Sequence, residues 1–344
     1  MVWSRRDEKQ KCISEAVFSF SDHHSARRIA RNVLDAGTRR KYVHDCDGRC
    51  RRSEDTAIDQ NIFKRHGLDV RVVYVRGGSL AVQTGIAGGA DVLDGSDSIV
   101  ILSSLQAGPK LKVIGSLVNT FPFKVVGKPE LAENPRNGRF GMSRFGSASD
   151  FSLRLFAKSK GLNPDRDIRI MQMGGQPDRL AALQSGIVDA SVFQEPEASI
   201  LVSKGFKMIH DFAAKPIPFP FSGYSASPSA LEKNRPAVIA YLKAMTEALH
   251  VYKCDRNAAI ASMGKHLRTS QSLNEAYEMM LGFYPKNISP NRDALKAVLS
   301  VFAEARPDLA EKAKVFDIDT AVDYSIMQEV LADPAIKPAL GPCR

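Results

Sequence analysis

Residues 141–147 combine glycines, serines and an arginine in a pattern that is typical of a ligand-binding loop. The glycines have the spacing found in a phosphate-binding loop, but Ser147 stands where that loop carries its phosphate-binding lysine. Nucleotide hydrolysis is therefore not expected. Ser147 and Asp150 have the spacing of a capping box, so a helix should begin here. Its free backbone N–H groups could hold an anion, and Arg144 could add a bidentate contact to a carboxylate or sulfonate.

Three further loops could take part in the same site. Each follows a predicted strand: Gly77-Gly78-Ser79, Ser96-Asp97-Ser98 and Gln194-Glu195-Pro196. In open parallel sheets, ligands bind outside the carboxyl ends of the strands. The four loops could therefore line one cleft between two domains. A structural role is the alternative, since a glycine pair also makes a tight strand-to-helix turn and a capped helix can stand beside a surface arginine.

The elements that would position these loops follow a repeated pattern. A β-branched run at Val70–Val75 is followed by a glycine pair, an amphipathic helix and a second strand at residues 90–93. The same order recurs further along the chain, with a strand at residues 168–173, a helix from Gln176 and a strand at residues 188–193. Two such βαβ units indicate two α/β domains that contain parallel strands.

Other periodic segments complete the predicted sheets and add helices. Further strands are expected at residues 111–117 and 124–126. After Tyr224 the apolar spacing becomes helical, and we predict helices over residues 236–253, 257–266, 273–283, 292–305 and 318–331. These helices carry no chemical motif and are expected to pack the core.

The composition excludes several classes of protein. The chain has 344 residues, of which 44% are hydrophobic and 25% are charged, so a disordered or collagen-like chain is excluded. No apolar run approaches the roughly 20 residues that a membrane-spanning helix needs. The net charge of +10 is mild for this length and is compatible with anion binding or with solubility alone.

No catalytic signature is present in the sequence. The motifs G-x-S-x-G, H-E-x-x-H and G-x-G-x-x-G are missing, and the histidines beyond residue 58 are scattered along the chain. We therefore predict no catalytic residue and no cofactor. A catalytic pair that only the fold assembles stays open as an alternative.

The first 57 residues differ from the rest, since all 18 prolines lie at or beyond Pro109. His44, Cys46 and Cys50 could bind zinc, but no second ligand pair has a recognisable spacing, so no metal site is predicted. The apolar stretch at residues 16–20 is too short for a secretory signal. Five cysteines without a framework spacing do not indicate a disulfide scaffold, and basic residues without interleaved aromatics do not indicate nucleic-acid binding.

Two long stretches resemble a known family. Residues 64–92, KRHGLDVRVVYVRGGSLAVQTGIAGGADV, and residues 139–196, which include GMSRFGSASDF and MGGQPDRLAALQSGIVDASVFQEP, are similar to the solute-binding proteins of ABC transporters in the nitrate/sulfonate/taurine group. The resemblance covers about residues 58–331. It implies a type II periplasmic-binding-protein fold of the α/β class. Two lobes, each a doubly wound and mostly parallel sheet, close on a small ligand, and extra helices lie at the C-terminus.

The resemblance also implies how the chain is divided. Lobe one would comprise residues 58–124 and 216–344, and lobe two residues 125–215, while residues 1–57 form an atypical segment that we expect to be poorly ordered. The ligand would be a small anionic or zwitterionic organic molecule, and the partner an ABC permease. We expect a periplasmic monomer that binds no nucleic acid. The residues expected at the ligand are Gly78, Ser79, Ser96, Asp97, Ser143, Arg144, Gly146, Ser147, Gln194 and Glu195.

The chain departs from the family at its start. Relatives carry a first strand and a ligand loop before the helix that ends near Gly67, and no such strand is recognisable in residues 1–57, although residues 16–20 are one candidate. Two other functions are compatible with the same fold. One is an enzyme related to thiamine-pyrimidine synthesis, whose histidine and cysteine-rich motif is not found here. The other is a ligand-sensing domain attached to a DNA-binding segment.

Overall fold

The computed structural model describes residues 40–45, 52–75, 77–267 and 269–343. In this part of the chain, ten strands form two five-stranded sheets. The strands are β1 (Arg40–Asp45), β2 (Val70–Val75), β3 (Val92–Asp94), β4 (Lys112–Thr120), β5 (Lys124–Gly127), β6 (Arg139–Met142), β7 (Arg169–Gln172), β8 (Ala190–Phe193), β9 (Lys207–Asp211) and β10 (Pro218–Ala226).

The two sheets share one strand order. The first sheet runs β2-β1-β3-β10-β4 and the second runs β7-β6-β8-β5-β9. In each sheet the first three strands are parallel, and the fourth is antiparallel to both of its neighbours. That fourth strand is the one that the chain enters on crossing from the other sheet. The two α/β units that the sequence predicts are therefore confirmed.

The expectation that the chain lacks a recognisable first strand is wrong, because β1 lies at the centre of the parallel part of the first sheet. Tyr42 of β1 pairs with Val72 of β2 on one side and with Val92 of β3 on the other. Buried parallel strands are usually continuous apolar runs, whereas β1 reads Arg-Lys-Tyr-Val-His-Asp. Its polar composition hid it. The other candidate, residues 16–20, lies outside the described residues.

Helices surround both sheets in the described part of the chain. They are α1 (Arg52–Asp59), α2 (Ile62–Arg65), α3 (Gly78–Ile86), α4 (Asp97–Ala107), α5 (Ala148–Ser159), α6 (Gln176–Gln184), α7 (Glu197–Ser203), α8 (Pro228–Cys254), α9 (Arg256–Leu267), α10 (Leu273–Phe283), α11 (Arg292–Ala305), α12 (Ala310–Val315) and α13 (Ser325–Ala332).

Two of the predicted C-terminal helices differ from the observed ones. The helix predicted from Pro236 is the second part of α8, which begins eight residues earlier and is kinked at Asn234. A proline removes a backbone donor, so the chain bends just before it. The helix predicted over residues 318–331 is interrupted. A 3₁₀ turn at Ile318–Ala321 is followed by a bridge from Val322 to β4, and only then does α13 begin.

Phe-Pro-Phe occurs twice, at residues 121–123 in the first crossover and at residues 219–221 near the start of β10, just after the second crossover, and the two segments pack against each other. The ring of Phe121 stacks on Phe219 with centroids 3.9 Å apart, and Phe123 meets Phe221 edge to face at 5.2 Å. The Phe212 N–H donates to the Phe123 carbonyl at 3.1 Å. All of these rings are buried, so the two crossovers form one hydrophobic junction.

A disulfide joins Cys254, the last residue of α8, to Cys343 near the end of the chain. The two cysteines are 89 residues apart, a separation that no framework spacing would have revealed. In the described ranges, no helix combines the length and apolar character that crossing a membrane requires.

Candidate functional site

The loop between β6 and α5 brings three serine hydroxyls into mutual contact. Ser143 Oγ lies 2.9 Å from both Ser147 Oγ and Ser149 Oγ. Ser147 Oγ and Ser149 Oγ are 2.8 Å apart, and all three side chains are buried. The Ser143 N–H also donates to Ser149 Oγ at 2.9 Å. The hydroxyls form one polar cluster at the start of a helix, where backbone N–H groups favour an anion.

The predicted capping box is present in a shifted form. Ser147 is the N-cap of α5, and its Oγ accepts the Asp150 N–H at 3.4 Å. The return bond comes from Gly146, whose N–H donates to Asp150 Oδ2 at 2.8 Å. Burial raises the pKa of Asp150, and the Arg154 guanidinium, which donates to Oδ1 at 3.0 Å, opposes that rise. The start of α5 is therefore held by its own side chains.

This loop touches the glycine loop of the other sheet. Ser79 Oγ donates to the Phe145 carbonyl at 3.3 Å. The side chain of Arg144 packs on Gly77, where a Cβ atom would lie 2.9 Å from Arg144 Cδ. Gly77 also has a φ of +93°, which side chains disfavour, so a substitution there would cause both a steric clash and backbone strain. Gly78, the first residue of α3, is buried beside this contact. Two of the predicted loops are thus brought together across the sheets.

The loop after β3, where contacts with the ligand are predicted, is buried. Ser96 is the N-cap residue of α4 in the left-handed conformation, and Asp97 is fully buried beside it. The Asp97 carboxyl lies against β10, where a Cβ atom on Gly223 would come within 2.2 Å of Oδ2. Burial raises the pKa of Asp97 well above its ordinary value, and the nearby Asp94 carboxylate adds to the rise. A ligand contact for Ser96 and Asp97 stays a prediction.

The loop after β8 is organised by hydrogen bonds to neighbouring elements. The Gln194 N–H donates to Gln176 Oε1 at 2.9 Å. Lys124 Nζ donates to Glu195 Oε1 at 2.6 Å, and the Ser199 N–H donates to Glu195 Oε2 at 3.0 Å. Both Gln194 and Glu195 are buried. Glu195 is therefore engaged by its own chain, and its expected contact with the ligand stays a prediction.

Two residues of α6 that were not selected from the sequence hold this region, Gln176 at the loop itself and Arg179 at the end of β8 before it. Gln176 Nε2 donates to Glu197 Oε2 at 2.6 Å, so this amide bridges both ends of the loop. Arg179 is completely buried and donates from Nη1 to the Gly174 carbonyl at 3.0 Å and from Nε to the Val192 carbonyl at 3.3 Å. Gln176 could have been predicted from the sequence, because it follows a glycine pair at the end of a strand, as Ser79 does.

The first turn of α1 adds a row of buried polar residues in the segment that was predicted to be atypical. Ser53, Glu54, Asp55 and Thr56 are all buried. Burial raises the pKa of the Tyr224 phenol on β10 well above its ordinary value, and the carboxylates of Asp94 and Glu54 add to the rise. Recognising β1 would have predicted this helix start at its carboxyl end. The loop between them, with Cys46 and Cys50, lies outside the described residues.

Among the residues that the structure describes, no three acidic, histidine or cysteine side chains are grouped as metal ligands would be. His66 and His266 instead lie close to carboxylates on the surrounding helices. His66 Nε2 lies 2.7 Å from Glu247 Oε2, and His266 Nε2 lies 3.2 Å from Asp59 Oδ2. These contacts dock α1 and α2 onto α8 and α9.

Comparison with known proteins agrees with this architecture. The sequence model of the NMT1-like family matches residues 56–268, which is more than half of the chain. None of the curated proteins matches the chain. A protein of Bordetella bronchiseptica RB50 has the same fold, with a TM-score of 0.72 and 19% identity over 85% of this chain and 97% of that chain.

Two further structures carry descriptive names. The periplasmic aliphatic sulphonate binding protein SsuA of Escherichia coli has a TM-score of 0.63 and 20% identity over 84% of this chain and 92% of its own. The periplasmic nitrate-binding protein NrtA of Synechocystis PCC 6803 has a TM-score of 0.66 and 12% identity over 89% of this chain and 91% of its own. The periplasmic-binding-protein fold and the resemblance inferred from the sequence are confirmed.

The same fold also occurs in an enzyme. The desulfurization enzyme DSZB has a TM-score of 0.57 and 14% identity, and the match covers 85% of this chain and 99% of that chain. Because identities this low establish the fold alone, binding and catalysis have to be distinguished by the chemistry of the site.

Proposed function

The chain belongs to the NMT1-like family, and from this premise we propose that it is the solute-binding component of an ABC importer. The observation that carries the proposal is the contact between the loop after β2 and the loop after β6, made by Ser79 and Phe145. Both loops stand at the carboxyl ends of parallel strands, and they belong to different sheets. A site shared by two sheets can close on a ligand by movement at the crossovers.

The ligand in this proposal is a small anionic or zwitterionic organic molecule, such as a sulfonate or carboxylate. Support comes from the three hydroxyls at the start of α5, from the positive end of that helix and from Arg144 beside it. A zwitterion would also suit the carboxylate of Asp94, which is buried at the carboxyl end of β3. The residues proposed to meet the ligand are Gly78, Ser79, Ser96, Asp97, Ser143, Arg144, Gly146, Ser147, Gln194 and Glu195.

The proposed partner is an ABC permease, and the proposed location is the periplasm, with the chain acting as a monomer. Two observations support the periplasmic location. The structural neighbours SsuA and NrtA are periplasmic binding proteins by name. The disulfide between Cys254 and Cys343 would persist in an oxidising compartment and would be reduced in most cytosols.

A thermal-shift panel of sulfonates, carboxylates, zwitterions and nitrate tests the proposal. A ligand at one hundred times its Kd adds about 2.7 kcal/mol of stability, which should raise the melting temperature by several degrees. Mass spectrometry should then recover that ligand unaltered. A panel without any stabilising compound, or a compound that is converted by the protein, would contradict a binding role.

An enzymatic role is the second candidate, and the fold of DSZB is the observation that favours it. The two roles predict different outcomes in the same panel, since an enzyme consumes its ligand over hours while a binding protein returns it. Incubating an organosulfur compound with the protein and following free sulfite would detect desulfurization directly.

A further inference from the structure

Glu195 is held from two sides. Its Oε1 accepts Lys124 Nζ at 2.6 Å and its Oε2 accepts the Ser199 N–H at 3.0 Å. Only 3% of the Glu195 side chain is exposed. These bonds hold the loop that begins at Gln194, where contacts with the ligand are predicted.

Lys124 lies at the point where the chain crosses from the first sheet to the second. It is the first residue of β5, and it pairs in register with Phe193 of β8 and with Asp211 of β9. Its ammonium group also lies 3.8 Å from Asp211 Oδ2. Asp211 is the last residue of β9 and therefore the last before the return crossover. One ammonium group thus connects the Glu195 loop to the ends of both crossovers.

The ion pairs of the Lys124 ammonium group lie in a largely buried environment. The Lys124 and Asp211 side chains are about one-fifth exposed and Glu195 is buried, so the ion pairs are largely shielded from water. Removing one partner of a shielded pair leaves an uncompensated charge and costs more than removing an exposed one. The crossovers are also bonded to each other, because the Phe212 N–H donates to the Phe123 carbonyl. A substitution of Lys124 should therefore affect both crossovers.

We propose that Lys124 is a positioning residue that couples the Gln194–Glu195 loop to both crossovers, so that capture of ligand and movement of the two sheets occur together. The inference rests on the proposed function. It gives Glu195 a further role, through Lys124, beside the contact with the ligand that the proposed function assigns to it. Closure of the sheets must change the crossover backbone, and a group bound to both crossovers and to the loop biases that equilibrium.

The coupling can be tested without a ligand by hydrogen exchange at the Phe212 amide. In Lys124→Met this amide should exchange at least fivefold faster than in the wild type, and Lys124→Arg should restore slow exchange. Lys128→Met is the matched control. Lys128 follows the other end of β5 and pairs with Asp189 at 2.8 Å, far along the strand from the crossovers. Equal exchange at Phe212 in Lys124→Met and Lys128→Met would overturn the proposal.

Calorimetric titration with ethanesulfonate and taurine gives a second readout. Lys124→Met should weaken binding about tenfold, a change typical of coupling between sites, and Lys128→Met should bind as the wild type does. Unchanged affinity in Lys124→Met would overturn the coupling. If neither probe binds the wild type, the ligand class in the proposed function is wrong, while the exchange rates at Phe212 still decide whether Lys124 couples the loop to the crossovers.

Discussion

The two sheets have one strand order, yet an aspartate at the carboxyl edge of the first sheet and one at the amino edge of the second lie in opposite environments. Asp97 follows β3 at the carboxyl edge of the first sheet, where burial and the Asp94 carboxylate raise its pKa. Asp189 precedes the equivalent strand β8 at the amino edge of the second sheet, where Arg139 and Lys128 hydrogen bonds hold its pKa well below the ordinary value. The amino edge thus gains stability from its charges, while the carboxyl edge keeps costly buried polar groups. Such a cost is typical of a binding site.

Among the variants that test this contrast, Gly223→Ala should change the free energy of unfolding the most. A Cβ atom on Gly223 would lie 2.2 Å from Asp97 Oδ2 and 2.3 Å from the Gly115 carbonyl oxygen, and the backbone atom cannot move aside. We expect a loss of about 3 kcal/mol in the free energy of unfolding, measured in urea. Gly282→Ala in α10 is the control, since nothing lies within 4 Å of its Cβ position. Equal stabilities of the two variants would contradict tight packing around Asp97.

Asp189→Asn should have the next largest effect. The Asp189 carboxylate accepts bonds from Lys128 Nζ at 2.8 Å and from Arg139 Nε at 2.8 Å, and losing its charge should cost about 2 kcal/mol at pH 7. Because its folded-state pKa is lowered, this stabilisation is present above about pH 4 and is lost as the pH falls further. Urea denaturation should show the full difference between wild type and variant at pH 7 and a smaller one at pH 3, because the stabilisation disappears completely only below the lowered folded-state pKa.

Asp97→Asn should increase stability, whereas Asp189→Asn decreases it. Its folded-state pKa is raised, so ionisation opposes folding once the pH exceeds the unfolded value of about 4. The variant should match the wild type near pH 4 and be more stable by about 1 kcal/mol at pH 8. Urea denaturation at both pH values checks this. A variant that is less stable than the wild type at pH 8 would show that Asp97 has a charged partner and would remove the contrast between the sheets.

The parts of the fold that the sequence predicted are those with regular apolar spacing. Val70–Val75 and the helices at residues 273–283 and 292–305 were predicted with the bounds that the structure has. The strands that were missed are polar, short or contain proline, as β10 does at Pro218 and Pro220. Proline is normally confined to strand edges, so a strand between β3 and β4 could not be expected to carry it.

The candidate site could be predicted only as a set of loops. Gly and Ser residues at strand ends revealed that residues 77–79 and 143–147 belong together, and the structure places them in contact. Spacing along the chain could not reveal which neighbour each side chain meets. Lys124 bonds to Glu195, which lies 71 positions away in the sequence. Asp97 lies against β10, a strand that the chain forms only after it has completed the second sheet.

The most direct test of a cleft that captures a small anion or zwitterion is calorimetric titration of the best ligand from the panel against three serine variants. Ser147→Ala and Ser79→Ala remove hydroxyls from the two loops that meet across the sheets, and each should weaken binding about tenfold, since one hydrogen bond to a charged group contributes about 1.5 kcal/mol. Ser159→Ala is the control, because that hydroxyl bonds to the Phe156 carbonyl at the far end of α5. Equal affinity in all three variants would contradict the account.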